Sequence, residues 1–246
     1  MSKKPVLLVI AHGSRDPRHA ATVHALVRRV RALRPDVRVA TGFLDFNIPS
    51  VQGVLESLAA QGVRDVVALP LLLTRAFHAK ADIPAVLRDA PPQLRIRQAE
   101  VLGPSPLLMA ALERRLYEAG LTPADKSSTG VVLASAGSTD PEAIAVIAEI
   151  AREWRHTGWC AVRPAFASAS LPRTEDAVRE LRELGCERVA VAPYVLAPGF
   201  LPDRIARGAA EADVLADVLG AAPEVARVLL ERYEAARVPV LAAVGA

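Results

Sequence analysis

Cysteine, aromatic residues and long apolar runs are all scarce in this sequence, and each scarcity excludes a class of protein. The only cysteines in the 246 residues are Cys160 and Cys186, which excludes a disulfide framework and gives no zinc-binding spacing. Aromatic residues make up 4% of the chain, so alanine, valine and leucine build most of the core. That composition is typical of parallel sheets covered by helices.

The apolar runs are too short for a membrane protein. The longest run, residues 66–73, contains Pro70 and is far below the length of a membrane span. The apolar run near the N-terminus is too short for a signal peptide and lacks a cleavage site. We therefore expect a cytoplasmic protein with no membrane partner.

Concentrated charge and nucleotide-binding loops are also missing. The formal net charge is +3, and the basic residues are scattered, which argues against a nucleic-acid partner but leaves room for a polyanionic small molecule. No Walker-type loop occurs, and no Gly-x-Gly-x-x-Gly follows a strand. We therefore expect no nucleotide and no organic cofactor.

The chain is organised around residues 6–17, with the sequence VLLVIAHGSRDP. The continuous apolar start predicts a buried strand of a parallel sheet. Asp16 is suited to cap a following helix, with Pro17 at its first position. His12 then lies at the carboxyl end of a strand, where open α/β sheets bind their ligands.

Strands and helices alternate through the first half. Strands are predicted at 6–11, 37–44, 66–73 and 94–99, and helices at 17–33, 50–61, 84–89 and 105–119. This alternation indicates an α/β fold with a doubly wound, mainly parallel sheet. A polar linker follows at 121–129.

The second half repeats the first. Residues 135–141 (SAGSTDP) correspond to 11–17 (AHGSRDP), residues 185–193 to 62–70, and residues 218–223 to 101–106. Three correspondences in one order indicate an internal duplication. We predict two similar α/β domains, at 1–122 and 130–246, with a ligand cleft between them.

The repeats differ at two histidines. His12 is matched by Ala136, and His78, in the loop after the third strand, is matched by Leu201. Because the first and third strands are neighbours in such sheets, the two imidazoles are predicted to face one cavity. There they can accept protons or bind divalent Fe, Co or Ni transiently. The alternative, that each histidine caps a helix or is solvated, stays open. His19, His24 and His156 are interpreted as solvated surface residues.

Several other side chains are candidates at the same edge. Asp45 follows the second strand and is suited to assist proton removal, although it is equally suited to cap the next helix. Ser14 lies at a helix N-terminus that favours anions. Arg15, Arg75 and Lys80 flank the histidines and are candidates for pairing with substrate carboxylates, or for solvated rim charges.

At His12-Gly13-Ser14-Arg15, Phe43-Leu44-Asp45 and His78-x-x-x-Asp82-Ile83-Pro84, the sequence resembles the CbiX/SirB-type class II chelatases. The resemblance covers nearly the whole chain and fits the long, two-repeat form. It implies a tandem of ferrochelatase-like domains, with His12 and His78 as the metal-binding and proton-accepting pair. The acidic residue of the family's Phe-Leu-Glu motif falls on Asp45, which is one methylene shorter.

The resemblance further implies a metal chelatase, a lyase that inserts Fe(II) or Co(II) into sirohydrochlorin for sirohaem or cobalamin biosynthesis. The metal, Fe2+, Co2+ or Ni2+, is then a substrate rather than a cofactor. The fused repeat favours a monomer, because each half can supply the other's interface. The alternative is a non-catalytic, two-lobed protein that binds a metal or a small molecule.

Overall fold

The computed structural model describes residues 4–75 and 81–237. The first half contains β1 (Val6–Ala11), α1 (Pro17–Leu33), β2 (Val39–Phe43), α2 (Val51–Ala60), β3 (Asp65–Pro70), α3 (Ile83–Arg88), β4 (Arg95–Gln98) and α4 (Pro106–Glu118). The second contains β5 (Thr129–Ser135), α5 (Pro141–Arg155), β6 (Ala161–Phe166), α6 (Thr174–Glu183), β7 (Arg188–Tyr194), α7 (Phe200–Gly208), β8 (Val214–Leu215) and α8 (Pro223–Arg237).

Two four-stranded sheets form, with the orders β2-β1-β3-β4 and β6-β5-β7-β8. All the pairings within them are parallel. The predicted fold class, two doubly wound α/β units related by duplication, is confirmed. Because β1 and β5 are central, the residues that follow them lie at the middle of each sheet's carboxyl edge.

The central strand is buried on both faces. In β1, Leu7, Val9 and Ala11 point into one core cluster, and the alternate residues, such as Leu8, point into another that includes α2. Burial on both faces explains why β1 reads as an unbroken apolar run rather than an alternating one.

The last helix of each half crosses to the other sheet. α4 contacts β7, whereas α8 contacts α1, β3 and β4. The hydroxyl of Tyr233, on α8, donates to the carbonyl of Pro5 at 2.8 Å, and Nε of Arg232 donates to the carbonyl of Val101 at 2.9 Å. One continuous core cluster therefore contains residues of both halves.

Three strands are shorter than predicted, and one of them, β4, lacks one residue at each end. β2 begins at Val39 because the N–H of Val37 bonds to the carbonyl of Arg34, in the turn after α1. β3 ends at Pro70, and the apolar residues 71–73 form part of a cleft wall instead. Across residues 4–75 and 81–237, every helix falls short of the length and apolarity that crossing a bilayer demands.

Candidate active site

His12 follows the last residue of β1 and is half-buried. Its Nδ1 lies 3.1 Å from the carbonyl oxygen of Gly13, and its ring centroid is 6.3 Å from that of Phe46. The imidazole is thus placed at the carboxyl edge of the first sheet, as the sequence predicts, with a phenyl ring from the loop after β2 beside it.

The loops after β1 and β2 are tied together by backbone contacts. The N–H of Asp45 donates to the carbonyl of His12 at 2.9 Å, and the N–H of Ser14 donates to Oδ1 of Asn47 at 2.8 Å. Gly13 has a φ of +96°, and a Cβ there would lie 1.9 Å from the carbonyl oxygen of Asp45. Only glycine fits this approach, which fixes the backbone that carries His12.

The helix start after His12 forms as predicted. Oδ1 of Asp16 accepts from the N–H of Arg18 at 2.9 Å, the N-cap bond of α1. Hydrogen bonds from the Arg18 side chain and N–H lower the pKa of Asp16. The hydroxyl of Ser14 accepts from the N–H of Asp16 at 3.1 Å. The hydroxyl of Ser14 therefore bonds within its own loop, whereas its N–H bonds to the loop after β2.

Asp45 is exposed, and its Oδ1 accepts from the N–H of Phe46 at 2.8 Å. It does not cap α2, because Oγ of Ser50 accepts from the N–H of Gly53 there, at 3.1 Å. The capping interpretation of Asp45 is thus wrong. Its carboxylate is also absent from the residues that line the cleft described below.

Of the candidate cationic residues, the structure describes Arg15 and Arg75, and neither lines the cleft that is described below. Arg15 is exposed, with its guanidinium carbon 5.2 Å from the centre of the Phe46 ring. Arg75 is also exposed, and its Nη1 lies 3.8 Å from Oε2 of Glu100. His78 and Lys80 lie outside the described residues.

A cleft of about 450 Å³ lies between the two halves at the carboxyl edges of the sheets. The first repeat lines it with His12 and residues 71–74, and the second with Ala136, Ser138 and Leu201. Most of its lining is apolar, and no lysine or arginine of residues 4–75 and 81–237 contributes to it. The cleft thus brings together His12 and the two residues that replace histidines in the second repeat.

His19 also lines this cleft, which sequence reasoning missed. It lies in the first turn of α1 and is half-buried, so the prediction that it is solvated was wrong. Burial, and then the charge of nearby His12, lower the pKa of His19, while Asp16 acts in the opposite direction. The sequence could have predicted this position, because a helix that starts at Pro17 places His19 in its first turn, close to the loop that contains His12. His24 and His156 are exposed, as predicted.

Within the described residues, the cleft supplies the imidazoles of His12 and His19 but not a complete resident metal centre. In the part of the chain that the structure describes, no three His, Cys, Asp or Glu side chains come together as a metal site. A site with few protein ligands suits a metal that passes through it rather than one that stays.

Comparison with known proteins gives matches along most of the chain. The CbiX family model matches residues 6–119 and again residues 130–236. The sirohydrochlorin cobaltochelatase of Priestia megaterium is 30% identical over 206 residues, which are 81% of this chain and 66% of that protein. The sirohydrochlorin ferrochelatase of Bacillus subtilis is 28% identical over 210 residues, covering 83% of this chain and 78% of that protein.

The fold matches a solved structure of the same family. SirB from Bacillus subtilis with Fe3+ superimposes with a TM-score of 0.81 at 25% sequence identity, covering 95% of this chain and 96% of that one. The family model matches the chain twice in tandem, once for each sheet. The two matches explain why the loop that contains His12 has a counterpart in the loop that contains Ala136. This chain therefore belongs to the CbiX family.

Proposed function

We propose that this protein is a sirohydrochlorin chelatase, a lyase that inserts Co(II) or Fe(II) into sirohydrochlorin in the cleft between its two halves. The observation that carries the proposal is His12, a half-buried imidazole that lines an otherwise mostly apolar cleft. Relatives named as cobaltochelatase and ferrochelatase support the reaction class.

We assign the chemistry to the first repeat. The N-terminal domain, residues 1–122, carries the metal-binding and proton-accepting groups, and the C-terminal domain, residues 130–246, supplies the opposite wall. The placement of Ala136 and Leu201 in the cleft lining supports this division, because neither side chain can bind a metal or accept a proton.

Metal insertion requires that two N–H protons leave the macrocycle. A neutral imidazole at His12 can bind the incoming metal and, once the metal has moved to the ring nitrogens, accept one of the protons. His78 is proposed as the partner imidazole and metal ligand. Asp45 is proposed to assist proton removal from the edge of the site, within the limits set by its short side chain and its bond to the Phe46 N–H.

Substrate binding is assigned to groups at the rim. Sirohydrochlorin carries several carboxylates, and exposed Arg15 and Arg75 can pair with them in a bidentate way, together with Lys80 and the Ser14 loop. The reaction needs no organic cofactor, since the metal, Fe2+, Co2+ or Ni2+, is itself a substrate. We further propose a cytoplasmic monomer with no nucleic-acid or membrane partner.

Turnover measured under anaerobic conditions tests the proposal. Purified full chain is mixed with sirohydrochlorin and Co(II) or Fe(II), and metallation is followed by the change in the absorbance of the macrocycle. We expect a rate well above that of the same mixture without protein. A rate equal to the uncatalysed one, with metal or macrocycle still bound, would assign the chain to the non-catalytic binding proteins instead.

A further inference from the structure

Among the residues that the structure describes, His19 is the second imidazole of the cleft, and its surroundings do not explain it as a structural residue. It lines the cleft with His12, and its Nδ1 is buried without a hydrogen-bond partner among the described residues. Buried polar atoms are nearly always hydrogen-bonded, because an unpaired one costs free energy. A histidine kept only for packing would be replaced at no loss by an apolar residue.

The second repeat makes that replacement. Its α5 starts in the same way as α1, with Oδ1 of Asp140 accepting from the N–H of Glu142 at 3.0 Å. The residue that corresponds to His19 is Ala143, which also lines the cleft. The helix start therefore does not require an imidazole at this position. His19 is present in one repeat alone, like His12.

Within the described chain, His12 and His19 are the only imidazole or carboxylate side chains that line the cleft. They are also close enough to influence each other electrostatically. Asp45 is exposed and forms no part of the lining. A cation that enters the cleft along the first-repeat wall therefore meets these two imidazoles.

We infer that His19 is a ligand to the divalent metal substrate and forms, with His12, a two-imidazole entry site on the first-repeat wall of the cleft. The inference rests on the proposed function for the identity of the metal as a substrate. Imidazole binds Fe(II), Co(II) and Ni(II). A site with two protein ligands holds the metal weakly enough for the macrocycle to remove it.

Titration of the full chain with Co(II) alone tests the inference, with affinity measured by calorimetry and coordination by the visible bands of the metal. The variants are His19→Ala, His19→Gln, His12→Ala and the double variant His12→Ala/His19→Ala. His156→Ala is the matched control, because it removes an exposed histidine at the end of α5. Circular dichroism establishes that each variant is folded, and His19→Gln preserves bulk should His19→Ala unfold.

We expect either His19 variant to weaken Co(II) binding by at least about tenfold and to change the visible bands, with His156→Ala unchanged. Once one ligand is lost, removing the other should reduce Co(II) affinity by a smaller factor. The double variant should therefore bind Co(II) more tightly than the sum of the two single effects predicts. Wild-type affinity and bands in a folded His19 variant would overturn the inference. Failure of the wild type to metallate sirohydrochlorin would overturn the proposed function instead, without affecting this comparison.

Discussion

His12 and Ala136 occupy equivalent positions, each directly after the central strand of its sheet, and both line the same cleft. The duplication therefore produced one cleft with two related walls, of which one carries imidazoles and the other does not. This asymmetry separates what the fold requires from what the chemistry requires, and the predictions below use it.

His12→Ala should lower kcat/KM for metal insertion by at least about 100-fold, the range for losing a general base. The fold should remain, because His12 lies in a loop and its side chain is only half-buried. The measurement is anaerobic metallation of sirohydrochlorin, and His156→Ala is the control. Full turnover by His12→Ala would show that the imidazole has no part in the reaction.

Leu201→Ala should alter the fit of the substrate and leave proton transfer unchanged. Leu201 lines the cleft from the second repeat and packs against a core cluster of that half. Removing a half-buried leucine should cost about 1–2 kcal/mol of stability, less than the cost at a fully buried site. We expect a changed KM and the wild-type pH profile. A displaced pH profile would contradict the passive role.

Gly13→Ala and Gly137→Ala make a matched pair. A Cβ at Gly13 would lie 1.9 Å from the Asp45 carbonyl oxygen, and one at Gly137 would lie 1.9 Å from that of Ser168, with φ of +96° and +91°. In each variant, the free energy of unfolding measured by urea denaturation should fall by more than ~1–2 kcal/mol, the cost of a positive φ for alanine.

The activities of the two variants should differ, because Gly13 directly follows the cleft histidine His12, whereas Gly137 follows Ala136. At a temperature where both variants are folded, Gly13→Ala should lose more kcat than Gly137→Ala. Gly62→Ala is the mild control, since its φ is +75° but nothing lies within 4 Å of the added Cβ. Equal activity losses in Gly13→Ala and Gly137→Ala would refute the one-sided assignment.

Tyr233 links the two halves and should matter for their joint stability. It is fully buried, and its hydroxyl donates to the Pro5 carbonyl at 2.8 Å. Tyr233→Phe should cost about 1 kcal/mol, the value of one hydrogen bond, and Tyr233→Ala about 3–5 kcal/mol. Because α4 and α8 are exchanged, wild-type denaturation should be a single transition. Two separate transitions would show that the halves unfold independently.

The cysteines should differ in reactivity. Cys160 is exposed and Cys186 is buried, with their sulfur atoms 3.7 Å apart. Burial, and then the hydrogen bond to Cys160, raise the pKa of the Cys186 thiol to about 11, so its thiolate is scarce at neutral pH. Iodoacetamide at pH 7.5 should label Cys160 first, as followed by peptide mass spectrometry. Faster labelling of Cys186 in the folded protein would contradict this assignment.

Local features of the fold were accessible from the sequence. The bounds of β1 and α1, the Asp16 cap and the repeat of the loop after the central strand all depend on neighbouring residues, whose steric and hydrogen-bonding preferences act over a few positions. The site was accessible in part for the same reason: a histidine directly after a buried strand must lie at the sheet's carboxyl edge.

The α/β alternation, the duplication and the position of His12 follow from the amino-acid sequence alone. The exchange of α4 and α8 between the sheets depends on tertiary contacts. The same contacts place residues 71–73 and His19, but not Asp45, in the lining of the cleft. Periodicity identifies the apolar face of a helix or the burial of a strand, but not which surface covers it. Contacts between residues far apart in the chain make that choice.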